Sequence, residues 1–414
     1  MKFMHNNFIK KYFYTSLTCF FCSFYPLVAQ DNIHTTTQTT SPATPQENTQ
    51  IFLQNTEENI LETTPSPTNP QDSLHLKKLK FIYGIDFDFL LDNTEESEKY
   101  WPTRTLFTGS IAPEIGISFK NQNLRVGGHF IQNLGEKYPA KNLFTFSYDF
   151  TYKDLKAFFG IFHKNQWIGE YSQLFYRKDF LFYNPLINGV LFQYNSQKYD
   201  LQAEFIFDWY GGNLTKRIDE FLTQGYLKKS FFNKKLFFGG SFLLYHFKND
   251  EFLNLDGGNF DTYLLDRFYY ELFIGSNLKS LTPSMDKLLF KFSNLSSLER
   301  KRRLSTGLDP FSNLLGWQFD FQAQYKGFGF ENSLYFGKNQ YKYFSTYGED
   351  FYAGLPFYQS PLFDRAEIYY EYKNDYLTGR FSFILHFTQD ALAYQQMLSL
   401  SLDTHKLFRL LLHK

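Results

Sequence analysis

The stretch Phe144-Thr145-Phe146-Ser147-Tyr148-Asp149-Phe150-Thr151-Tyr152 decides how the chain is read. Aromatic rings fall on every second position, and small polar groups stand between them. A strict period of two marks a β-strand with two unlike faces. In a water-soluble sheet the rings would be hidden against a second layer. In a membrane barrel they would face lipid, and the polar side would enclose water. One strand does not choose between these, but the recurrence of the pattern and the spacing of its turns do.

The pattern returns along the chain. Phe81, Tyr83, Ile85, Phe87 and Phe89 alternate with a set that includes Asp86 and Asp88. Tyr199, Leu201, Ala203, Phe205, Phe207 and Trp209 alternate with Asp200, Gln202, Glu204 and Asp208. Trp317, Phe319, Phe321, Ala323 and Tyr325 alternate with Gln318, Asp320, Gln322 and Gln324. Weaker versions cover 111–120, 123–132, 155–162, 188–195, 221–230, 235–247, 263–275, 286–294, 328–337, 366–373, 377–388 and 394–403. Together they predict about sixteen strands of roughly ten residues, the length a tilted strand needs to cross a hydrocarbon layer.

The connections carry the stronger signal. Tight polar turns are expected at Asn121-Gln122, Lys153-Asp154, Ser196-Gln197-Lys198, Asn233-Lys234, Gly327 and Asn374-Asp375, with a somewhat longer one near Ser280 to Met285. Long connections at 92–104, 133–141, 163–187, 210–220, 248–262, 295–315 and 338–365 alternate with them. An up-and-down antiparallel barrel with one trimmed rim and one elaborated rim produces this rhythm. All four tryptophans, Trp101, Trp167, Trp209 and Trp317, fall near the elaborated rim, where amphipathic rings favour a membrane interface. The competing reading is four buried core rings on a soluble sheet.

Composition agrees. Aromatics reach 21% of the 414 residues, with 52 Phe and 31 Tyr, yet hydrophobic residues total only 43%. Mean hydropathy is −0.39, so the apolar content is spread evenly rather than gathered into helical spans. A formal charge of zero argues against a partner held by phosphate neutralisation, and no nucleic acid is expected. Residues 1–30 read as a signal peptide: Lys2, Lys10 and Lys11 precede the uncharged segment Tyr12 to Val28, and Val28-Ala29-Gln30 offers a cleavage site. Both cysteines, Cys19 and Cys22, lie inside it, which leaves the mature chain without thiol chemistry. Residues 31–76 are rich in Thr, Gln, Pro, Asn and Ser, carry no Lys or Arg before Lys77, and read as a disordered periplasmic tether. Residues 77–414 form the expected barrel.

Signal, polar tether, aromatic-rich alternation and long/short loop rhythm together resemble the outer-membrane β-barrels of Gram-negative bacteria. Within this, Asn165-Gln166-Trp167-Ile168-Gly169-Glu170-Tyr171, Phe182-Tyr183-Asn184-Pro185 and Leu191-Phe192-Gln193-Tyr194 resemble a stretch of uncharacterised porin-like barrels. The resemblance implies outer-membrane location and architecture, not a substrate. The chain departs from it at the C-terminus. Leu410-Leu411-Leu412-His413-Lys414 replaces the usual terminal aromatic, so either a short extension follows a last strand ending near Asp403 or the register differs there.

Several residues stand out as site candidates. Asp86, Asp88, Asp149, Asp200, Gln202, Glu204, Gln318, Asp320, Gln322 and Arg380 fall on the polar faces and are expected to line a lumen. In the loop 163–187, Glu170 and Asp179 opposite Arg177 or Lys178 would set a transverse field across a constriction, unless the loop only packs over the rim. Arg300, Lys301, Arg302 and Arg303, on the elaborated side, would bind lipopolysaccharide phosphates or other anions; the bland reading is a solvated charge run. Asp256, Asn259 and Asp261 around Gly257-Gly258 offer oxygen ligands, but the spacing of a calcium loop is missing and turn chemistry accounts for them, so no metal or cofactor is expected.

Catalysis finds little support. Nine histidines are scattered without a His-Glu-x-x-His or Gly-x-Ser-x-Gly pattern. His129, His246 and His386 lie on strands, where spacing alone leaves a His/Ser pairing inside a barrel lipase open. Glu331, Glu367 and Glu371 read as ordinary lumen carboxylates. The expectation is a non-enzymatic pore for passive diffusion of small hydrophilic solutes. The alternative is a surface-binding or structural barrel whose lumen is plugged by a loop. Expected partners are outer-membrane lipid and lipopolysaccharide, the solutes, and the barrel-assembly machinery; homo-oligomerisation is left open.

Overall fold

A computed structural model describes residues 79–96, 99–137, 140–213, 218–249, 263–303, 307–349 and 351–404. The chain divides into Met1–Ser73 and Leu74–Lys414, and all described residues belong to the second unit. The expected signal peptide, the tether, the Asp256/Asn259/Asp261 turn and the C-terminal extension lie outside the described residues.

Sixteen antiparallel staves close into one barrel. They are β1 (Lys80–Glu95), β2 (Arg104–Phe119), β3 (Gln122–Asn133), β4 (Lys141–Tyr152), β5 (Leu155–His163), β6 (Leu186–Ser196), β7 (Leu201–Asn213) and β8 (Ile218–Phe231). There follow β9 (Leu236–Asn249), β10 (Tyr263–Asn277), β11 (Lys287–Arg303), β12, β13 (Phe328–Gly337), β14 (Leu362–Lys373), β15 (Leu377–Thr388) and β16 (Leu392–Asp403). The twelfth stave is interrupted, running as Gly307–Leu308, Ser312–Leu314 and Gly316–Tyr325, and all three pieces pair with β11. Closure comes from β1 against β16, in register from Asp86↔Asp403 to Glu95↔Tyr394. No edge remains to template aggregation.

The alternation dictates which way each side chain looks. On β4 the rings of Phe144 and Phe146 are exposed while Thr145, Ser147 and Asp149 are buried. Large apolar residues stay exposed on stave after stave, among them Phe81, Ile115, Phe205, Leu272, Ile274, Phe319, Ile368 and Phe381. A continuous greasy outer band around a polar interior fits hydrocarbon rather than water, and the protein is an outer-membrane β-barrel. Backbone hydrogen bonds are satisfied between neighbouring staves, as an apolar medium requires.

One rim is trimmed by turns that place Lys120, Lys153 and Lys326 at positive φ, with Gly327 (φ 84°) beside Lys326. Left-handed residues match the twist of a tight antiparallel hairpin. The other rim carries the long connections, which places it outside the cell on the rule that periplasmic turns are short. Several strands run further toward that rim than their greasy segment suggested. β2 starts at Arg104 and β11 continues to Arg303. The run Glu299 to Arg303 is therefore the end of a strand and not a loop.

Candidate functional site

Two of the long connections do not stand above the rim. Residues 164–185, with the short helix α1 (Lys178–Tyr183), and residues 338–361, with the single turn α2 (Phe344–Tyr347), fold into the lumen. Leu174, Phe175 and Tyr176 of the first meet Tyr341, Tyr352, Phe357 and Tyr358 of the second. Around them close the inward residues Leu222, Leu243, Tyr245, Tyr269, Leu295, Tyr335 and Phe363 from the wall. Phe175 stacks on Tyr269 at 5.7 Å and Tyr341 contacts Tyr352 at 4.9 Å. Rings packed in this way exclude water, so the extracellular half of the barrel holds a hydrophobic core where open pores hold solvent.

Backbone bonds stitch the two loops together. Arg177 N–H donates to the carbonyl of Ala353 (2.8 Å), Leu355 N–H to that of Gln173 (2.9 Å), and the Tyr341 hydroxyl to that of Leu174 (2.7 Å). The first loop is latched to the wall by Glu204 on β7. Its carboxylate accepts from Ile168 N–H at 2.7 Å, the Tyr171 hydroxyl at 2.8 Å and Gln193 Nε2 at 2.8 Å. Gln193 also donates to the carbonyl of Gln166 at 2.7 Å. A side chain at Gly169 would sit 2.8 Å from the Tyr171 ring and 2.9 Å from Glu204 Oε1, so a larger residue there would push the latch side chains apart. The segment Gln166–Tyr171 and the residue Gln193 thus belong to one fastening. Lys164 donates to the carbonyl of Asn184 (2.8 Å) beside Asp208 (3.9 Å), and burial pushes its pKa down to about 8.

The constriction candidates divide. Arg177 and Asp179 are buried and pair with each other at 3.0 Å, and Asp179 also takes Arg104 at 2.6 Å. Lys178 reaches Glu367 on β14 at 3.6 Å, while Glu170 is largely exposed and meets Lys228 at 3.3 Å. Opposed charges are consumed in ion pairs, and the expected transverse field gives way to a neutralised plug. Trp101 and Trp167 join that plug instead of an interfacial belt; Trp101 is 1% exposed. Trp209 and Trp317 do lie on the outer surface, stacked on Phe221 and Phe292.

The pore-lining candidates occupy the inner face with one exception. Asp200 belongs to the tight turn, at φ 47°, and faces Lys234 at 3.6 Å. Asp86, Asp88, Gln202 and Gln322 are half-buried. Asp149 accepts from Asn123 (2.7 Å) near Arg125 (3.8 Å). Gln318 bridges Asp320 and the Tyr358 hydroxyl, both at 2.7 Å, and Asp320 takes Lys291 at 3.2 Å. Arg380 pairs with Glu367 at 2.6 Å and Glu331 at 3.3 Å. A polar cavity of about 190 Å³ opens at the trimmed rim, lined by residues that include Gln197, Gln202, Lys228 and Asn277.

The sequence marked Arg300 as an anion candidate and His246 as a strand histidine but did not join either to Asp266, and at the outer wall of β9–β11 the three come together. On β9 and β10 odd positions look inward: Leu243, Tyr245, Leu265 and Tyr269 are in the core cluster. On β11, Leu295 does the same. The even positions His246, Asp266 and Arg300 therefore face away from the lumen, with Asp266 itself buried between its two neighbours. His246 and Asp266 are direct partners across the ladder, with Nδ1···Oδ1 at 2.6 Å. Arg300, opposite Asp266 on the other side, donates through Nε to Oδ2 at 2.6 Å. Phe221 stacks on the imidazole at 5.0 Å, and the Arg300 guanidinium lies over Phe311 at 4.4 Å. Each of the three residues stands three positions from the outer end of its strand, so the group sits about 10 Å below the strand ends, beside Trp209.

The other strand histidines face the interior. His129 is buried and both ring nitrogens lack a hydrogen-bond partner; Ser110, its diagonal neighbour on the inner face, has an unpartnered hydroxyl. His386 is wholly buried, stacked on Phe357 at 4.5 Å, with Gln395 Oε1 at 3.2 Å. No metal-binding group of three or more His, Cys, Asp or Glu occurs among the described residues. Of the anion candidates, Arg300 belongs to the outer group, Lys301 lies over the Tyr343 ring at 5.1 Å, and the backbones of Arg302 and Arg303 pair with Leu308 and Gly307.

A family model described as lipid A 3′-O-deacylase-type matches residues 76–410. No curated protein matches the chain. Among solved structures the barrel resembles Pseudomonas putida OprB, at 9% identity over 78% of this chain and 94% of that one, with a TM-score of 0.44. Salmonella typhi OmpF, solved with daunomycin, matches at 9% identity over 79% and 98%, TM-score 0.44. Pseudomonas aeruginosa OpdK, solved with vanillate, matches at 10% over 79% and 99%, TM-score 0.39.

Proposed function

The chain belongs to the lipid A 3′-O-deacylase-type family, and from that premise we propose that it hydrolyses an ester-linked acyl chain of lipid A at the outer-wall group His246, Asp266 and Arg300. The observation that carries this reading is the His246–Asp266 hydrogen bond of 2.6 Å on the outer wall, beside Phe221 and Trp209, rings of the kind that favour a membrane interface. Ionisable groups on the outer wall of a membrane barrel are costly and call for a function. Asp266 holds the imidazole through Nδ1, which leaves Nε2 to take a proton from water as the water oxygen attacks the acyl carbon. The terminal guanidinium nitrogens of Arg300 supply positive charge for the carbonyl oxygen as it becomes an oxyanion. When the tetrahedral intermediate collapses, the carbon–oxygen bond to the sugar breaks. His246 returns its proton to the sugar oxygen, and a free fatty acid leaves.

The test is the mass of lipid A after incubation with the refolded full-length protein. Loss of one acyl chain by wild type, with at least a hundredfold slower loss by His246→Ala at unchanged heat-modifiable gel migration, is expected. Equal rates in the two proteins would remove the site from this wall.

A second reading is passive diffusion of small hydrophilic solutes, favoured by the polar cavity at the trimmed rim and the charged inner face. There Asp86, Asp88, Asp149, Gln202, Glu204, Gln318, Asp320, Gln322 and Arg380 would line the path, and the stitched loops would have to move aside. Stepwise conductance of the refolded wild type in a planar bilayer is the observable that favours it. Outer-membrane lipid and the barrel-assembly machinery are partners in either reading.

A further inference from the structure

Beside the outer group, the interrupted stave β12 opens a polar cavity of about 630 Å³ on the extracellular rim. Its floor is the buried Gln340, whose amide donates to the carbonyl of Leu314 (3.0 Å) and to the Tyr335 hydroxyl (2.7 Å) and whose oxygen accepts from Ser297 (2.5 Å). Its walls bring Lys338 and Lys342, both exposed, together with Ser312, Asn313 and Asn339. No carboxylate lines it. Lys338 donates to the carbonyl of Asn313 (3.4 Å) and Lys342 to the Ser312 hydroxyl, and neither forms an ion pair among the described residues. Two ammonium groups at the mouth of a hydroxyl- and amide-lined cavity suit a phosphorylated sugar.

The surroundings narrow the ligand. Phe311, which covers Arg300, directly precedes Ser312 in the cavity wall. Leu308, Phe311, Leu315 and Trp317 continue outward as exposed apolar residues. A polar, cationic recess above a greasy strip is the arrangement an amphiphile with an anionic head needs, and a free anion would have no use for the strip. From β9 to β12 is three inter-strand spacings, on the order of 14 Å, comparable to the span of a disaccharide headgroup. We infer that this cavity binds the phosphorylated saccharide headgroup of an outer-leaflet glycolipid, with Lys338 and Lys342 taking the phosphate and the strip from Leu308 to Trp317 taking acyl chain. The inference rests on the hydrolase reading for the identity of the glycolipid, but binding is measurable without turnover.

The experiment measures binding of lipid A, dispersed in detergent, to refolded His246→Ala protein and to the same protein carrying Lys338→Ala and Lys342→Ala. The double replacement is expected to weaken binding at least tenfold. Dephosphorylated lipid A should bind both proteins equally weakly, and the charge-preserving pair Lys338→Arg and Lys342→Arg should restore tight binding, which separates lost charge from lost folding. Unchanged affinity in the double alanine variant overturns the inference, and so does displacement of lipid A by millimolar inorganic phosphate alone, which would assign the cavity to a free anion. If the wild type binds through its lysines yet removes no acyl chain, the inference stands and the hydrolase reading falls.

Discussion

Strands β9–β11 carry two ionic groups back to back, built from residues adjacent in the chain. Inward stand Tyr245, Arg267 and Glu299; outward stand His246, Asp266 and Arg300. The inner arginine is sandwiched among the rings of Tyr245, Tyr269 and Tyr352 at 4.6 to 5.0 Å and donates to the carbonyl of Phe351. The inner carboxylate accepts from the Tyr352 hydroxyl at 2.9 Å and is wholly buried. Its partners are residues of the plug. The outer trio has only itself and two rings, and the His246 side chain keeps about a quarter of its surface open. One alternation of period two has therefore placed a fastening on one side of the wall and a partly open imidazole on the other. Charge on a strand does not define its role; the medium behind it does.

The largest expected effect lies on the outer face. Asp266→Asn keeps the shape of the group but no longer stabilises a protonated imidazole, and lipid A hydrolysis should fall at least a hundredfold in a mass-spectrometric assay. On the inner face, Arg267→Ala should leave hydrolysis within a few-fold while removing the ring sandwich and a bond to the plug. Breaking a buried charged group of this kind costs about 3–5 kcal/mol, and the expected readout is stepwise conductance in a planar bilayer where wild type gives none. If Arg267→Ala abolished hydrolysis as fully as Asp266→Asn, the two faces would not be separable.

A smaller loss is expected at the latch. Glu204→Ala leaves the N–H of Ile168 and the hydroxyl of Tyr171 without their acceptor, at about 1–3 kcal/mol. Limited proteolysis should then cut within residues 164–185 faster than in wild type. The smallest effect is one of pH. Lys164 titrates at about 8 in the folded loop against an ordinary value near 10.4 in an unfolded one. Between those values the unfolded loop binds more protons, so docking strengthens as pH rises through the window. The penalty is fully present below pH 8 and is bounded at roughly 3 kcal/mol. Trp167 fluorescence from pH 7 to 10.5 should register this, and Lys164→Met should flatten it.

Much of the barrel was legible in the sequence because lipid imposes a binary code. Phe144–Tyr152 and Trp317–Tyr325 were placed within a few residues, and the count of about sixteen staves followed from the recurrence of the alternation. The strand ends were less legible. The outer end of β11, Leu295 to Arg303, reads in the sequence as solvated charge, because a charge run hides the alternation by which Glu299 and Arg300 face opposite ways. Loop length marked residues 164–185 as special. That they would fill the lumen depended on apolar residues such as Leu174, Phe175 and Tyr176 finding Tyr341 and Phe357 far along the chain, a match no local pattern encodes. The pair His246 and Asp266 was hidden for a similar reason. The two become neighbours only once the register of β9 on β10 is known, across a connection whose length the sequence does not relate to that register.

The most direct trial of this account puts both questions to one sample: proteoliposomes containing lipid A and the refolded full-length chain, followed at once for ion flux and for lipid A mass. A tight vesicle whose lipid A loses one acyl chain is the predicted result. Ion flux with lipid A intact would contradict it, because the plug would then be open and the outer wall inert.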